Sequence, residues 1–319
     1  MITARIVVVT FALAASIASA FDVQGHRGAR GLTPENTLAA FRRALDVGVT
    51  TIETDVGVTR DGVVVIAHDR RLNPALVRGA DGKWLTAPGP TIRSLSLAEL
   101  SAYDVGRLDP SSSYAKTFPQ QVAADGERIP TLDALIELVR RSGRPVRLNV
   151  ETKLSPNAPE ETQDPASFTR SVVDVLRKAG FIDRTTLQSF DWRTLIEAKK
   201  LAPELRTACL TTEGGSGDTV KAGESGMSPW HAGLSLARHG GSVPALVKAA
   251  NCDIWSPFFR NVTPERLREA RGIGLEVLPW TVNERADMDA LIDAGVDGII
   301  TDYPDRLLEA LRGKGKMPR

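Results

Sequence analysis

Two acidic side chains on one predicted strand are the first residues in this chain whose types and spacing could do chemistry. Residues 49–59 have the apolar pattern of a strand, and Glu53 and Asp55 lie two positions apart within it. Side chains at positions i and i+2 of a strand point to the same face. Two carboxylates this close repel each other unless a cation lies between them or one is protonated. The oxygen-only pair suits a hard divalent ion such as Mg²⁺ or Ca²⁺; solvated acids on an exposed strand are the simpler alternative.

A second pair with the same spacing, Glu151 and Lys153, follows another predicted strand. Glu151 can be a third ligand to an ion held by Glu53 and Asp55, because all three offer carboxylate oxygens. Lys153 and Arg27 would then place two positive charges beside that ion. Arginine binds phosphate through a planar fork, and lysine binds it as a point charge. The combination predicts a pocket for an anionic, oxygen-rich substrate such as a phosphate ester.

Two of the four histidines in the chain, His26 and His68, bracket the acidic pair. The unperturbed pKa of imidazole is about 6.5, so two imidazoles can supply an acid and a base near neutral pH. With a dication and cationic phosphate ligands they predict cleavage of a P–O bond, and a structural role is the alternative for each. The other two, His231 and His239, lie in a glycine-rich loop over residues 211–241, and we interpret them as structural.

Three further residues lie at or near the ends of predicted strands: Gln188, Trp280 and Asp302. Gln188 and Trp280 are candidates for substrate contact, and a place in the core is an equal alternative for Trp280. Asp302 is either a site residue or the cap of a helix over 304–311. The carboxylates alone also permit a glycosidase, with one acid and one base or nucleophile. That interpretation leaves the two cations and both histidines without a role.

Alternating strand and helix patterns must position these residues. The sequence predicts strands at 23–26, 50–58, 145–150, 185–188, 206–210, 253–256, 276–280 and 298–301, and helices at 34–46, 130–141, 164–178, 192–201, 242–250, 264–271, 284–293 and 304–311. Eight such units in about 300 residues favour a closed (β/α)8 TIM barrel over an open doubly wound sheet. No G-x-G-x-x-G follows the first strand, which disfavours a dinucleotide site. Chemistry in this barrel lies at the carboxyl ends of the strands, where the candidate residues fall.

Two segments interrupt the alternation. Asp61-Gly62 predicts a tight turn into a hairpin strand over residues 63–67. Residues 73–125 are rich in proline and too long for an ordinary connection. We interpret them as a small lid-like insertion after the second strand, with four possible rim residues: Trp84, Tyr103, Tyr114 and Phe118.

The first 20 residues have the composition of a signal peptide. Arg5 precedes an apolar run over residues 6–17 that is too short to span a membrane, and Ala18-Ser19-Ala20 is a small-residue cleavage site. We predict cleavage after Ala20. The mature barrel domain, residues 21–319, is then expected to be periplasmic or secreted, with no stable membrane anchor.

The charges of the chain nearly cancel, since Lys and Arg total 40 and Asp and Glu total 39. Without a positive excess, nonspecific binding to nucleic acid or to an anionic membrane surface is not expected. The expected partner is therefore a small-molecule substrate.

Cys209 and Cys252 are the only cysteines in the chain. An exported protein could pair them. However, Cys209 lies near the end of one predicted strand and Cys252 before the start of the next, which separates them by ~13 Å at ~3.3 Å per residue. This exceeds the span of a disulfide, and we expect both thiols to be free.

The motifs of this chain resemble those of the glycerophosphodiester phosphodiesterase family. The matching segments are His26-Arg27-Gly28, Pro34-Glu35-Asn36-Thr37, Glu53-Thr54-Asp55, Asp61-Gly62, His68-Asp69 and Glu151-Thr152-Lys153. Weaker similarity occurs at residues 126–132, 188–190, 280–283 and 297–304. The resemblance extends from about Gly25 to Leu311, nearly the whole mature chain.

The resemblance implies a barrel with an insertion after the second strand and a divalent ion, Ca²⁺ or Mg²⁺. It implies Glu53, Asp55 and Glu151 as metal ligands, His26 and His68 as the acid/base pair, and Arg27 and Lys153 as phosphate ligands. The family's reaction releases an alcohol and glycerol 3-phosphate from a glycerophosphodiester. One path consistent with it begins with attack of the glycerol 2-hydroxyl on phosphorus and ends with hydrolysis of a cyclic phosphate. A lysophospholipase D or sphingomyelinase D-like enzyme acting on a lipid, and a non-catalytic phosphodiester-binding protein, are the alternatives.

Overall fold

Nine strands form one sheet in the computed structural model of the protein, which describes residues 21–221 and 227–318. The strands are β1 Asp22–Gly25, β2 Thr51–Val58, β3 Val64–Ile66, β4 Arg147–Thr152, β5 Thr185–Ser189, β6 Arg206–Thr211, β7 Ile254–Pro257, β8 Glu276–Val277 and β9 Gly298–Thr301. Eight of these pair in parallel in the order β8-β7-β6-β5-β4-β2-β1-β9. The remaining strand, β3, pairs antiparallel with β2, as the predicted hairpin requires.

Backbone hydrogen bonds join the two ends of this strand order into a nearly closed barrel. The N–H of Asp297 donates to the Val277 carbonyl at 3.1 Å, and the N–H of Ile300 donates to the Pro279 carbonyl at 3.0 Å. The predicted strand over 276–280 is shortened to β8 because Pro279 has no N–H to donate to a ladder. The predicted (β/α)8 TIM barrel is confirmed.

Helices connect the strands and cover the outside of the barrel. They are α1 Leu38–Val47, α2 Leu97–Leu100, α3 Ser113–Thr117, α4 Leu132–Arg141, α5 Pro165–Lys178, α6 Trp192–Leu201, α7 Val243–Ala249, α8 Pro264–Gly272, α9 Arg285–Ala294 and α10 Pro304–Gly313. Local sequence determines where several of them begin: the Thr37 hydroxyl, for example, accepts a hydrogen bond from the N–H of Ala40 at 3.0 Å. Their apolar faces pack on the outward side chains of the strands and form one large core.

Residues 73–125 pack on the outer side of β3 and have a small apolar core of their own. Val77, Ile92 and Leu100 from this segment are buried together with Val65 of β3. The segment contains α2 and α3. Trp84 lies against Arg78 within the segment, whereas Tyr114 and Phe118 reach the barrel. The segment is therefore packed against the barrel at more than one point.

Cys209 and Cys252 form a disulfide with their Cα atoms 6.0 Å apart, so the expectation of free thiols is wrong. That expectation assumed an extended backbone from Cys252 into β7. Instead, Cys252 lies in the turn after α7, where its N–H donates to the Val247 carbonyl at 3.4 Å. The turn brings the chain from the helix layer onto the outer side of the sheet, where Cys209 of β6 is buried. The separation of Cys209 and Cys252 therefore cannot be estimated from the rise per residue along a strand.

We expect loss of this disulfide to lower stability without changing activity. Its cysteines are separated by 43 residues in sequence, and closing a loop of this length stabilises a fold by about 2–4 kcal/mol. Denaturant unfolding of the oxidised protein should therefore have a higher midpoint than unfolding in reductant. The double variant Cys209→Ala/Cys252→Ala should unfold at the same midpoint with and without reductant. Identical midpoints for the wild-type protein in both conditions would contradict the prediction.

None of the helices within 21–221 and 227–318 is long and apolar enough to cross a membrane. The predicted signal peptide, residues 1–20, lies outside the described residues. Phe21, the first residue after the predicted cleavage point, is buried, and its N–H donates to the Met317 carbonyl at 3.3 Å.

Candidate active site

The turn after β1 places His26 and Arg27 at the carboxyl end of the barrel. Arg27 and Gly28 both have left-handed backbones, with φ of 50° and 90°. A Cβ at position 28 would lie 2.8 Å from the backbone of Ala40 on α1, so only glycine fits there. The strained backbone of Arg27 directs its N–H to the Glu53 carboxylate, at 2.9 Å from Oε2. The turn therefore joins the end of β1 to the acidic strand β2.

Glu53, Asp55 and Glu151 form a buried cluster of carboxylates. One oxygen from each residue lies within 4.8 Å of the others. The register of β2 and β4 brings them together, since Asp55 lies directly opposite Glu151. Burial and the charges of Asp55 and Glu151 raise the pKa of Glu53, and burial raises the pKa of Glu151 to about 7. Without a cation, the cluster thus favours uptake of protons.

Asp55 has one buried oxygen that lacks a hydrogen-bond partner among the described residues. Its Oδ2 accepts a hydrogen bond from Asn36 Nδ2 at 2.9 Å and lies 3.3 Å from Arg27 Nε. Its Oδ1 accepts no hydrogen bond and lies 3.6 Å from Lys153 Nζ, within ion-pair distance but too far for a hydrogen bond. An unsatisfied buried carboxylate oxygen is costly, and a bound cation would satisfy it. Three carboxylates without sulfur or nitrogen ligands therefore fit a hard divalent ion such as Mg²⁺ or Ca²⁺.

Two cations flank this cluster, the buried Arg27 and the partly buried Lys153. Lys153 Nζ lies 2.6 Å from Glu151 Oε1, and Arg27 Nη1 lies 2.6 Å from Glu35 Oε1. Burial opposes the charge of Lys153, but the charges of Glu151 and Asp55 outweigh it and raise the pKa of Lys153. Both side chains therefore stay positive in a pocket that can hold an anion.

His26 is held by a buried aspartate at the end of β9. His26 Nδ1 lies 2.7 Å from Asp302 Oδ1, and Asp302 also accepts hydrogen bonds from Arg30 Nε at 2.8 Å and Asn283 Nδ2 at 2.7 Å. With Nδ1 bonded to the carboxylate, Nε2 faces the cluster, 3.9 Å from Glu53 Oε2. Burial and the charge of Arg30 lower the pKa of His26 to about 4. This imidazole is therefore neutral at pH 7 and able to accept a proton.

Asp302 therefore contacts a candidate site residue, and it does not cap α10. The residue that precedes the first turn of α10 is Tyr303, and it makes no side-chain capping bond. Two residues that the sequence did not assign to the site hold Asp302. Arg30 lies two residues after the His26-Arg27-Gly28 motif, and Asn283 is the last residue of the weakly similar segment 280–283.

We expect Asp302→Asn to lower kcat by up to about 10⁴-fold, the loss that follows when a carboxylate orienting a general-base histidine becomes an amide. The variant keeps the side-chain volume but loses the charge that fixes the orientation of His26. KM should change little, because Asp302 does not line the central cavity described below. Asp305→Asn, three residues further along on α10, is the matched control and should retain full kcat. An Asp302→Asn enzyme with unchanged kcat would contradict this role.

His68 repeats the arrangement seen at His26. It follows β3, whose hairpin continues with a hydrogen bond of 3.0 Å from the Ala67 N–H to the Asp55 carbonyl. His68 Nδ1 lies 2.9 Å from Asp69 Oδ1, and Asn73 Nδ2 donates to Asp69 Oδ2 at 2.6 Å. Burial and the charges of Arg27 and Lys153 lower the pKa of His68. Each histidine therefore has a carboxylate on Nδ1 and keeps Nε2 for chemistry.

The insertion reaches the site through Tyr114 and Phe118. The Tyr114 hydroxyl donates to Glu35, the residue that binds Arg27, and accepts from Arg30 Nη1 at 3.1 Å. The Phe118 ring lies 4.9 Å from the Arg30 guanidinium carbon. The insertion thus supports the cations around the site. Glu35 was part of a matching motif, but its partner Tyr114 in the insertion could not be identified from spacing.

Gln188 and Trp280 take different positions in the site. Gln188 is 1% exposed; its Nε2 donates to Glu53 Oε1 at 2.7 Å, so it orients a carboxylate. Trp280 donates its Nε1–H to the Ser256 carbonyl at 3.0 Å, and its ring centroid lies 5.4 Å from that of Phe190. The rings of Trp280 and Phe190 thus form one aromatic side of the candidate site.

Eight of the nine residues that the sequence assigns to the site line one cavity of about 200 Å³, which we call the central cavity. They are His26, Arg27, Glu53, His68, Glu151, Lys153, Gln188 and Trp280. The ninth, Asp55, is fully buried within the carboxylate cluster. His231 and His239 do not line this cavity: His231 stacks on Trp192, and His239 Nδ1 contacts the Ser235 carbonyl.

Known proteins are similar to this chain in fold and in overall sequence. A solved structure from Silicibacter pomeroyi DSS-3 is 36% identical, with a TM-score of 0.83 and coverage of 94% of this chain and 96% of that one. A phosphodiesterase from Oleispira antarctica, solved in complex with the product sn-glycerol-3-phosphate, is 25% identical, with a TM-score of 0.66 and coverage of 91% and 96%. The glycerophosphodiester phosphodiesterase of Caldanaerobacter subterraneus subsp. tengcongensis is 30% identical over 92% of this chain and 98% of its own.

The family model described as the glycerophosphoryl diester phosphodiesterase family matches residues 26–306. The match includes all nine candidate site residues and the strands from β2 to β9. This chain belongs to the glycerophosphoryl diester phosphodiesterase family of enzymes.

Proposed function

We propose that this protein hydrolyses glycerophosphodiesters to an alcohol and sn-glycerol 3-phosphate, using a divalent cation and two histidines. One observation carries the proposal: the carboxylate cluster, two cations and two carboxylate-held histidines surround a single cavity. The Oleispira antarctica relative, solved with sn-glycerol-3-phosphate, supports the product assigned here.

Glu53, Asp55 and Glu151 would hold the ion, Ca²⁺ or Mg²⁺. When bound, such an ion offsets their charge and polarises the phosphoryl oxygens of a substrate. Arg27 and Lys153 would bind the remaining phosphoryl oxygens, since both are positive and line the central cavity, Arg27 buried and Lys153 with 13% of its side chain exposed.

His26 is assigned as the base of the first step. It lines the central cavity, and its Nε2 faces that cavity's carboxylates. It accepts the proton of the glycerol 2-hydroxyl as that oxygen bonds to phosphorus. The P–O bond to the alcohol breaks, and protonated His68 gives its proton to the departing oxygen. In the free protein, burial and the charges of Arg27 and Lys153 lower the pKa of His68. The negative charge of a bound phosphodiester would offset the two cations and so favour the protonated imidazole that this step needs.

The second step reverses these roles. Water attacks phosphorus of the cyclic phosphate, and His68, now neutral, accepts a proton from it. The bond from phosphorus to the glycerol 2-oxygen breaks, and that oxygen takes the proton from His26. Glycerol 3-phosphate leaves, and both imidazoles return to their starting states. Asp302 and Asp69 hold the two rings through both steps.

A coupled assay for glycerol 3-phosphate tests the proposal. Protein stripped of metal and then supplied with Ca²⁺ or Mg²⁺ should release glycerol 3-phosphate from glycerophosphocholine and glycerophosphoglycerol. It should act poorly on lysophosphatidylcholine, the substrate of the lipid-directed alternative, as measured by release of choline, because that cleavage leaves lysophosphatidic acid rather than glycerol 3-phosphate. Binding of glycerophosphoglycerol without release of product would instead support a non-catalytic binding protein. Faster turnover of the lysolipid would favour the lysophospholipase D alternative.

We also propose that residues 1–20 direct export and that the mature domain comprises residues 21–319. The apolar run and small-residue site of the sequence support this. N-terminal sequencing of the protein recovered from the periplasm or medium should begin at Phe21, and recovery of a chain that begins at Met1 would refute it.

A further inference from the structure

A second cavity, of about 430 Å³, opens beside the central cavity and shares His68 and Lys153 with it. We call this second cavity the outer basin. Its remaining walls come from residues 69–74, from Pro88 of the insertion and from Glu161 after β4. Lys153 is a proposed phosphate ligand, and His68 is the proposed acid. A phosphodiester bound between these two residues therefore extends one ester arm into the central cavity and the other into the outer basin.

We propose that the outer basin binds the alcohol arm of the substrate and favours head groups that carry an anionic group; this rests on the proposed function. Every glycerophosphodiester has the same glycerol arm, and a small preformed site suits an invariant group. The central cavity is the smaller of the two and includes His26, the proposed base for the glycerol hydroxyl. We therefore assign the larger outer basin to the alcohol arm, which differs from one glycerophosphodiester to another.

Two arginines of the outer basin share one carboxylate. Arg70 Nε donates to Glu161 Oε2 and Arg71 Nε donates to Glu161 Oε1, each at 2.7 Å. Hydrogen bonds from both arginines lower the pKa of Glu161, so the three groups together have a net charge of +1. Within the described parts of the chain, the terminal nitrogens of both guanidinium groups have no hydrogen-bond partner. These edges are partly exposed and can bind a further anion.

The other charges of the basin are already paired with neighbours. Asp69 binds His68 and Asn73, and Lys153 binds Glu151. The basin lining contains no phenylalanine, tyrosine or tryptophan, whereas aromatic faces are what attract quaternary ammonium groups. A carboxylate or phosphate on the head group can therefore bind the free guanidinium edges of Arg70 and Arg71. A choline-like cation is instead repelled by the positive charge of these arginines.

A matched pair of substrates isolates this effect. Glycerophosphoserine and glycerophosphoethanolamine differ by one carboxylate on the alcohol arm. The wild-type enzyme, loaded with its divalent ion, should have a kcat/KM ratio of about 5 to 10 in favour of the serine substrate at low salt, because the arginines are partly exposed. The ratio should fall toward one in 0.5 M salt, where the Debye length is only about 4 Å.

Variants of the basin should move this ratio in opposite directions. Arg70→Gln/Arg71→Gln should bring it to about one, whereas Glu161→Gln should raise it, because the competing carboxylate is removed. Arg266→Gln is the control: Arg266 pairs with Glu213 after β6 and does not line the basin, so the ratio should stay at the wild-type value.

Each outcome decides the proposal. A wild-type ratio near or below one, or a ratio unchanged in the double arginine variant, overturns the basin assignment while the proposed function stands. If neither substrate is hydrolysed in the presence of Ca²⁺ or Mg²⁺, the proposed function fails and the basin assignment fails with it.

Discussion

Replacing His26 with alanine is expected to lower kcat for glycerophosphodiesters by about 10²- to 10⁴-fold, the usual contribution of a positioned acid or base. The fold should survive, because Asp302 keeps its bonds from Arg30 and no buried charge loses every partner. Circular dichroism and a melting curve check the fold, and steady-state kinetics measure kcat. His239→Ala is the control and should be fully active, since that residue does not line the central cavity.

His68→Ala separates the two histidine roles. On a natural glycerophosphodiester we expect a loss of about 10²- to 10⁴-fold, as for His26. On a glycerophospho-p-nitrophenyl ester, p-nitrophenolate release in a single turnover should slow by under about tenfold, because a phenolate of low pKa leaves without a proton. Hydrolysis of the cyclic phosphate, in which His68 is the proposed base, should stay slow in this variant. His26→Ala should remain slow on both substrates. The opposite pattern would exchange the two roles, and full activity of both variants on both substrates would remove the histidines from the mechanism.

Removal of divalent ions should abolish activity, and added Ca²⁺ or Mg²⁺ should restore it. The buried carboxylates repel one another without a cation, and Asp55 Oδ1 then has no hydrogen-bond partner among the described residues. Asp55→Asn should therefore bind the ion more weakly and lose more than about 100-fold in activity. Calorimetric titration of metal-free protein measures the binding directly, without reference to turnover.

A thermal melt supplies a second test of this centre. An ion that binds only the folded protein stabilises it by about 2.7 kcal/mol at 100 times its Kd. The melting temperature of the wild-type protein should thus rise with added ion, while that of Asp55→Asn should not. Asp61→Asn, an exposed acid of the β2–β3 turn, should behave as wild type in both measurements. Full activity of the wild-type protein in excess chelator would contradict a metal-dependent reaction.

Local patterns in the sequence were sufficient to predict the barrel and most of the site. The i and i+2 spacing places Glu53 beside Asp55, and Glu151 beside Lys153, whatever the rest of the fold does. Parallel strands bring their carboxyl ends to one edge, so a residue just after a strand is directed to the site. The alternation of strands and helices can also be predicted from short stretches of sequence, because side-chain periodicity and helix capping depend on residues that are near one another in the chain.

Only the tertiary structure decided which distant residues hold these side chains. The pairing of Asp302 with His26 depends on β9 lying next to β1, and that of Tyr114 with Glu35 depends on how the insertion folds back. The disulfide was missed for the same reason, since the turn before Cys252 leaves the direction of the strand. Such contacts depend on relative positions set by packing and strand register across the whole barrel, and no short stretch of sequence encodes them.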